Sequence, residues 1–236
     1  HNVRKDILIK SGTIMSIEDV IDTNEVDQII TSKDLHVSKG WTDLKAHFCD
    51  PGYEYMETIA SGLAKAASGG FTRVAILPST NPVMDHKASI DSVFRKSQGF
   101  ASQPIPMGCL TKGMKGEELA ELFDMQNSGA GLFTDDRTSI SPGVLNNALM
   151  YAQNFSGQIT VSVGNPSLYK NAQINEGLAS LKTGMKGEPS VSEIIEIERH
   201  LRIVEHTNSK LHISGVSTEE GTKLIAAAKK KGLNIT

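Results

Sequence analysis

A chain of 236 residues with 39% apolar and 22% charged content is long enough to bury a large core and has the balance of a water-soluble globular protein. Its formal net charge of −3, with Lys229-Lys230-Lys231 as its strongest like-charged run, argues against nucleic-acid binding and against an anionic membrane surface. Its two cysteines, Cys49 and Cys109, lack CxxC spacing, which argues against a disulfide framework or structural zinc, and no apolar run approaches a membrane span. The start of the chain has no signal-peptide pattern, so a cytoplasmic location is expected.

In chain order, residues 6–15 (DILIKSGTIM) predict a hairpin around Ser11-Gly12. Residues 28–30 and 35–37 predict two further short strands, with His36 an ordinary strand residue. The stretch 40–52 reads GWTDLKAHFCDPG. Residues 41–48 predict a buried strand, which Asp50-Pro51-Gly52 closes with a sharp loop. Residues two apart on a strand share a face, so Lys45, His47 and Cys49 are expected to point the same way.

Residues 53–68, with Ala60, Gly62, Ala64, Ala66 and Ala67, predict a helix that Gly69-Gly70 ends, and 71–78 predict a second strand. A helix is expected at 85–98 and a third strand at 105–109. In the run from Thr111 to Leu119 a lysine between glycines suggests a phosphate cradle, but the order of a P-loop is missing and no nucleotide site is expected. A fourth strand, 129–136, ends in the pair Asp135-Asp136. Alternation puts Asp135 on the face of Phe133 and Asp136 opposite, with Arg137 free to pair with Asp136. Helices at 144–155, 191–206 and 218–231 alternate with strands at 158–163 and 209–218, and 233–236 begins another strand. His200 and His206 are expected on the solvent face of their helix, and the lysine run at the end of the last one.

The stretch 40–52 resembles the first barrel strand of the dihydroorotases, members of the cyclic amidohydrolase family. That motif is D-x-H-x-H-x-R-[DE]-P-G, in which two histidines bind zinc and the arginine holds a substrate carboxylate. Asp43, His47, Asp50, Pro51 and Gly52 match it, whereas Lys45 stands at the first histidine and Cys49 at the arginine. Residues 57–72, the run from Pro78 to Pro82, the run from Thr111 to Leu119, Asn175-Glu176-Gly177 and the run from Gly184 to Pro189 also resemble family segments, in the family's order. Ser79 takes the place of a substrate-contacting asparagine, and Asp135 is the favoured counterpart of a metal-centre aspartate. Aligned on Pro166, Ser162 stands at one metal-binding histidine; Gly215 stands at another, with His212 on the opposite face of that strand.

The resemblance implies an α/β fold, an amidohydrolase-type (β/α)₈ TIM barrel over residues 40–236. This span holds barrel strands one to six and the start of a seventh. Residues 1–39 would be part of a small flanking β-sandwich, with both ends of the family's fold falling outside the chain. Family activity opens or closes the cyclic amide of dihydroorotate in pyrimidine biosynthesis, with zinc polarising the carbonyl and activating water. Lys45, Ser162 and Gly215 cannot replace three imidazoles, because a lysine ammonium has no lone pair and glycine no side chain.

The implied site is therefore vestigial, comprising Lys45, His47, Cys49, Ser79, Asp135, Asp136, Ser162 and Gly215, with no catalytic residue expected. No metal is expected either; His47 and Asp135 are the ligands if one binds, and zinc the metal if family activity survives. The Lys45 ammonium is expected to stand in for the metal against Asp135 or Asp136, and Cys49 to be a small buried apolar residue rather than a nucleophile. The reading that follows is a non-catalytic structural or regulatory subunit. Its candidate partner is aspartate transcarbamoylase or a second copy of the chain. The alternative is an active dihydroorotase or other cyclic amidohydrolase with a reduced metal site.

Overall fold

The computed structural model describes residues 3–24 and 26–236, in two compact units that divide between Lys39 and Gly40. In the first, β1 (Asp6–Lys10) and β2 (Thr13–Glu18) pair antiparallel, joined through Ser11 and Gly12. Both turn residues have positive φ (50° and 75°), the geometry that matches a hairpin turn to the twist of its strands. Residues 28–30 and 35–37 form no strand, contrary to expectation. A strand needs a backbone partner, and the only ladder among the described residues of this unit is β1–β2. Ile29, Ile30 and Val37 are left exposed, and the anticipated β-sandwich amounts here to one hairpin.

The second unit alternates strand and helix. β3 (Trp41–Ala46), α1 (Ile59–Ser68), β4 (Phe71–Ile76), α2 (Lys87–Lys96) and β5 (Gln103–Gly108) come first. They are followed by α3 (Leu122–Asn127), β6 (Leu132–Phe133), α4 (Pro142–Gln153) and β7 (Ile159–Ser162). A long excursion then carries α5 (Pro166–Tyr169), β8 (Ile174–Asn175), α6 (Leu178–Thr183) and β9 (Gly187–Glu188). Finally α7 (Ser190–Thr207), β10 (Leu211–Ser214) and α8 (Glu219–Lys230) complete the alternation. No helix among the described residues is long and apolar enough to cross a membrane.

The strands of the main sheet pair in parallel in the order β3-β4-β5-β6-β7-β10, so each new strand adds beside the last. The bridge Leu211↔Ile235 starts a seventh strand at the far edge. Parallel strands in sequence order with helical crossovers are the construction of a (β/α)₈ barrel, and the chain forms a curled part of one. Fully buried Leu63, Ile76, Ile90, Leu122, Phe133 and Leu145 fill the space between sheet and helices. Gly40 before β3, Gly62 on α1 and Gly131 before β6 have no room for a side chain, because Thr72, Phe48 and Ile105 respectively fill that space.

Several boundaries shift for local reasons. α1 starts at Ile59, not at 53, because Thr58 is extended and closes a capping box with Ser61. The loop before it is held by Asp50, which accepts from Ile59 N at 3.3 Å and pairs with Lys96 of α2. Gly52, at φ +96°, lies against the Asn81 backbone, where a side chain would collide. β6 spans two residues rather than 129–136, since Thr134 and Asp135 turn to bond the segment after β5. His200 was expected at the surface of its helix. It is 2% exposed, beside buried Glu196, because that face of α7 packs into the core with Ile197, Leu201 and Val204. Burial, and then the Arg199 guanidinium, push its pKa down to about 3, so it is neutral at physiological pH.

α7 also anchors the segment after β10. The Glu193 carboxylate accepts from Ser217 N (2.9 Å) and Oγ (2.7 Å) and from Thr218 N (2.9 Å) and Oγ1 (2.5 Å). Burial alone would raise its pKa, but these four donors outweigh it and hold the group below its ordinary value. A carboxylate depressed in the fold stabilises above its unfolded pKa, and that stabilisation is lost as pH falls through the folded one. Glu193→Gln is therefore expected to lower unfolding free energy by about 1–3 kcal/mol at pH 7. Urea titrations should show the gap between variant and parent closing below about pH 4.

Candidate functional site

The C-terminal ends of β3, β4, β6, β7 and β10 share one rim, which is where barrel enzymes carry their chemistry. From β3, Lys45 extends its Nζ to 2.9 Å from Ser162 Oγ on β7 and 3.5 Å from Ser214 Oγ on β10. Those strands lie four and five places away across the sheet, so the side chain spans the concave inner face. The expected ion pair of Lys45 with Asp135 or Asp136 is not formed. The ammonium reaches across to the hydroxyls of β7 and β10, while both aspartates are engaged at the ends of β4, β5 and β6.

β3 ends at Ala46, and Cys49 takes a left-handed conformation (φ 63°), so the strand does not run on as far as Cys49. His47 Nε2 lies 3.1 Å from the Ser79 carbonyl, and Nδ1 lies 3.1 Å from Cys49 Sγ. The carbonyl requires a proton on Nε2, which leaves the Nδ1 lone pair facing the thiol. Arg137 approaches the same Nε2 at 3.4 Å and makes no ion pair with Asp136, contrary to expectation. Asp136 instead accepts from Ser79 Oγ at 2.8 Å, and its other oxygen, Oδ1, is buried without a partner.

Asp135, the favoured metal-centre residue, is 4% exposed and turned toward the segment after β5. Its Oδ1 accepts from Leu110 N (2.8 Å) and Thr111 N (3.2 Å), and its Oδ2 from the Thr111 hydroxyl. Burial raises its pKa; these three bonds offset part of the rise, and the Asp136 charge adds to it. Gly215 follows β10 at φ +82° with open space where a side chain would begin.

His212 shares the inner face with Ser214 rather than lying turned away. It bonds Thr236 Oγ1 at 2.9 Å, and burial, then the Lys45 charge, lower its pKa. Ser214 and Thr160 were missed from sequence. The visible signal was polar alternation in register: Thr160 and Ser162 on β7 pair with His212 and Ser214 on β10.

These donors do not suit zinc. The rim offers the His47 imidazole, whose lone pair meets a thiol, one carboxylate consumed by the fold and one carboxylate with a single unpaired oxygen, while the second imidazole, His212, lies a layer deeper and bonds Thr236. Among the described residues no three His, Cys, Asp or Glu side chains converge as a metal site.

A family profile described as "Dihydro-orotase-like" matches residues 36–221. The chain is 38% identical to a dihydroorotase of Syntrophotalea carbinolica, over 98% of this chain and 55% of that protein. It is also 38% identical to a dihydroorotase of Ruminiclostridium cellulolyticum, over 98% and 54%. The chain thus spans about half the length of the curated relatives it matches. Among solved structures, an L-hydantoinase (dihydropyrimidinase) from Arthrobacter aurescens superposes with a TM-score of 0.75 at 18% identity. That match covers 98% of this chain and 53% of the other. A D-hydantoinase gives 0.75 at 20% identity, with 98% and 52% covered. At these identities the likeness establishes a shared fold.

The two aspartates separate in a simple test. Asp135→Ala strands two buried backbone N–H groups and is expected to cost about 2–4 kcal/mol, whereas Asp136→Ala, losing one hydroxyl contact, should cost about 1 kcal/mol. Denaturant melts of both variants at pH 7 would check the order.

Proposed function

Since the chain belongs to the dihydroorotase-like family, we propose that it is a non-catalytic member, retained as a structural or regulatory subunit. The observation that carries this reading is the Lys45 ammonium, hydrogen-bonded to Ser162. Two positions that resemble metal-histidine sites thus hold a cation and the hydroxyl that binds it. A fixed positive charge there repels a divalent ion, and neither group can donate the imidazole lone pair zinc takes. His47, bound to Ser79 O and Cys49, supplies at most one weak donor.

Partners follow from the same proposal. A subunit without its own chemistry acts by contact, and the candidates are aspartate transcarbamoylase and a second copy of this chain. The alternative, a cyclic amidohydrolase with a reduced site, rests on His47 and Asp136 both bonding Ser79, with the second Asp136 oxygen left unpaired.

Metal analysis after dialysis against zinc, run beside a dihydroorotate assay in both directions, tests the proposal. The expectation is far less than one zinc per chain and no turnover above blank. Stoichiometric zinc together with chelator-sensitive turnover would establish the alternative instead. Lys45→His is expected to restore neither, because Ser162 and Gly215 still supply no ligand.

A further inference from the structure

The polar inner face around Lys45 has a chemistry of its own. An ammonium carries three N–H donors and no acceptor, so Ser162 and Ser214 both accept from it. Each serine proton must then point elsewhere. What remains free at this point is the third ammonium N–H and two O–H groups, all donors, gathered on one positive charge. No carboxylate among the described residues lies within ion-pair distance of Lys45. The complement of such a set is an oxyanion.

The layer beneath points the same way. Barrel interiors are ordinarily filled by branched aliphatic side chains in layers. Here Thr160 pairs in register with His212, directly below Ser162 and Ser214. Thr160 is 4% exposed and its Oγ1 has no partner. An unpaired buried hydroxyl is costly, and two polar layers on one inner face are not what packing alone selects.

We propose that Lys45, Ser162 and Ser214 form an oxyanion seat that takes the carboxylate or phosphate group of a small molecule. The seat lies where the family resemblance puts metal-binding histidines, so the inference rests on the non-catalytic reading above. It converts a centre that would hold a cation into one that holds an anion. An occupied seat ties β3, β7 and β10 together through one ligand, which is how a subunit without turnover could sense a metabolite.

Isothermal titration of the zinc-analysed chain with sodium succinate, and separately with inorganic phosphate, tests this. The expected result is one saturable site per chain for at least one probe, and the probe that binds identifies the group. Lys45→Met, and independently the double variant Ser162→Ala/Ser214→Ala, should weaken binding by about tenfold or more, as expected when a charge-assisted partner is lost. Lys223→Met, which removes an exposed lysine paired with Glu219, should leave it unchanged. Circular dichroism confirms that each variant is folded. A metal-free parent that binds neither probe, or a folded Lys45→Met that binds as well as the parent, overturns the seat alone. One zinc per chain in the same samples overturns the non-catalytic reading and the seat with it.

Discussion

Pairing in sequence order is the constraint on which the rest of this structure depends. Each parallel strand joins beside its predecessor, from β3 through to β10, and the helices between them cover the same outer face. Every strand then ends on one rim, and twist accumulated over six strands curls the sheet into a concavity. Only that curvature lets Lys45, on one edge, hydrogen-bond serines on strands four and five places away.

The rim is held by buried carboxylates. Asp50 binds the first N–H of α1 and Lys96; Asp135 binds two N–H groups and a hydroxyl after β5; Glu193 binds two N–H groups and two hydroxyls after β10. Such segments leave the sheet with unpaired backbone donors, which must be satisfied inside the fold. A carboxylate is the densest acceptor available for them. Asp135, the favoured metal-centre residue from sequence, is thereby a fastener like the other two.

Much of the barrel was legible from sequence because its strands are short apolar runs between turn signals, with helices at the spacing of crossovers. The N-terminal strands at 28–30 and 35–37 were misread because β propensity says nothing about whether a partner edge exists. The start of α1 was set by the Thr58–Ser61 capping box, a signal present in the sequence but overshadowed by the small residues around it. His200 was misplaced because its neighbours in sequence, Arg199 and Leu201, do not reveal which face of α7 the core takes. At the rim, residue identities were readable and directions were not. Alternation could not foresee that Asp135 would be claimed by Leu110 and Thr111, or that Lys45 would cross to Ser162.

The divergence between motif and chemistry has a physical basis. Asp50 and Gly52 match the family pattern, and each is needed by the backbone: one as a helix-end acceptor, the other where a side chain would strike Asn81. Thr111 likewise closes a loop, its hydroxyl donating to Asp135 while it accepts from Gly116 N at 2.8 Å. Substituting any of these would unseat a loop, whether or not the rim performs a reaction. Lys45 and Ser162 carry no comparable backbone duty and bond to each other, whereas Gly215, at φ +82°, holds a left-handed backbone that any larger side chain would strain. The positions of Lys45 and Ser162 can therefore change their chemistry while the fold stands. Family resemblance in this chain is carried by the residues that build the rim, and its function must be read from the residues that the rim presents.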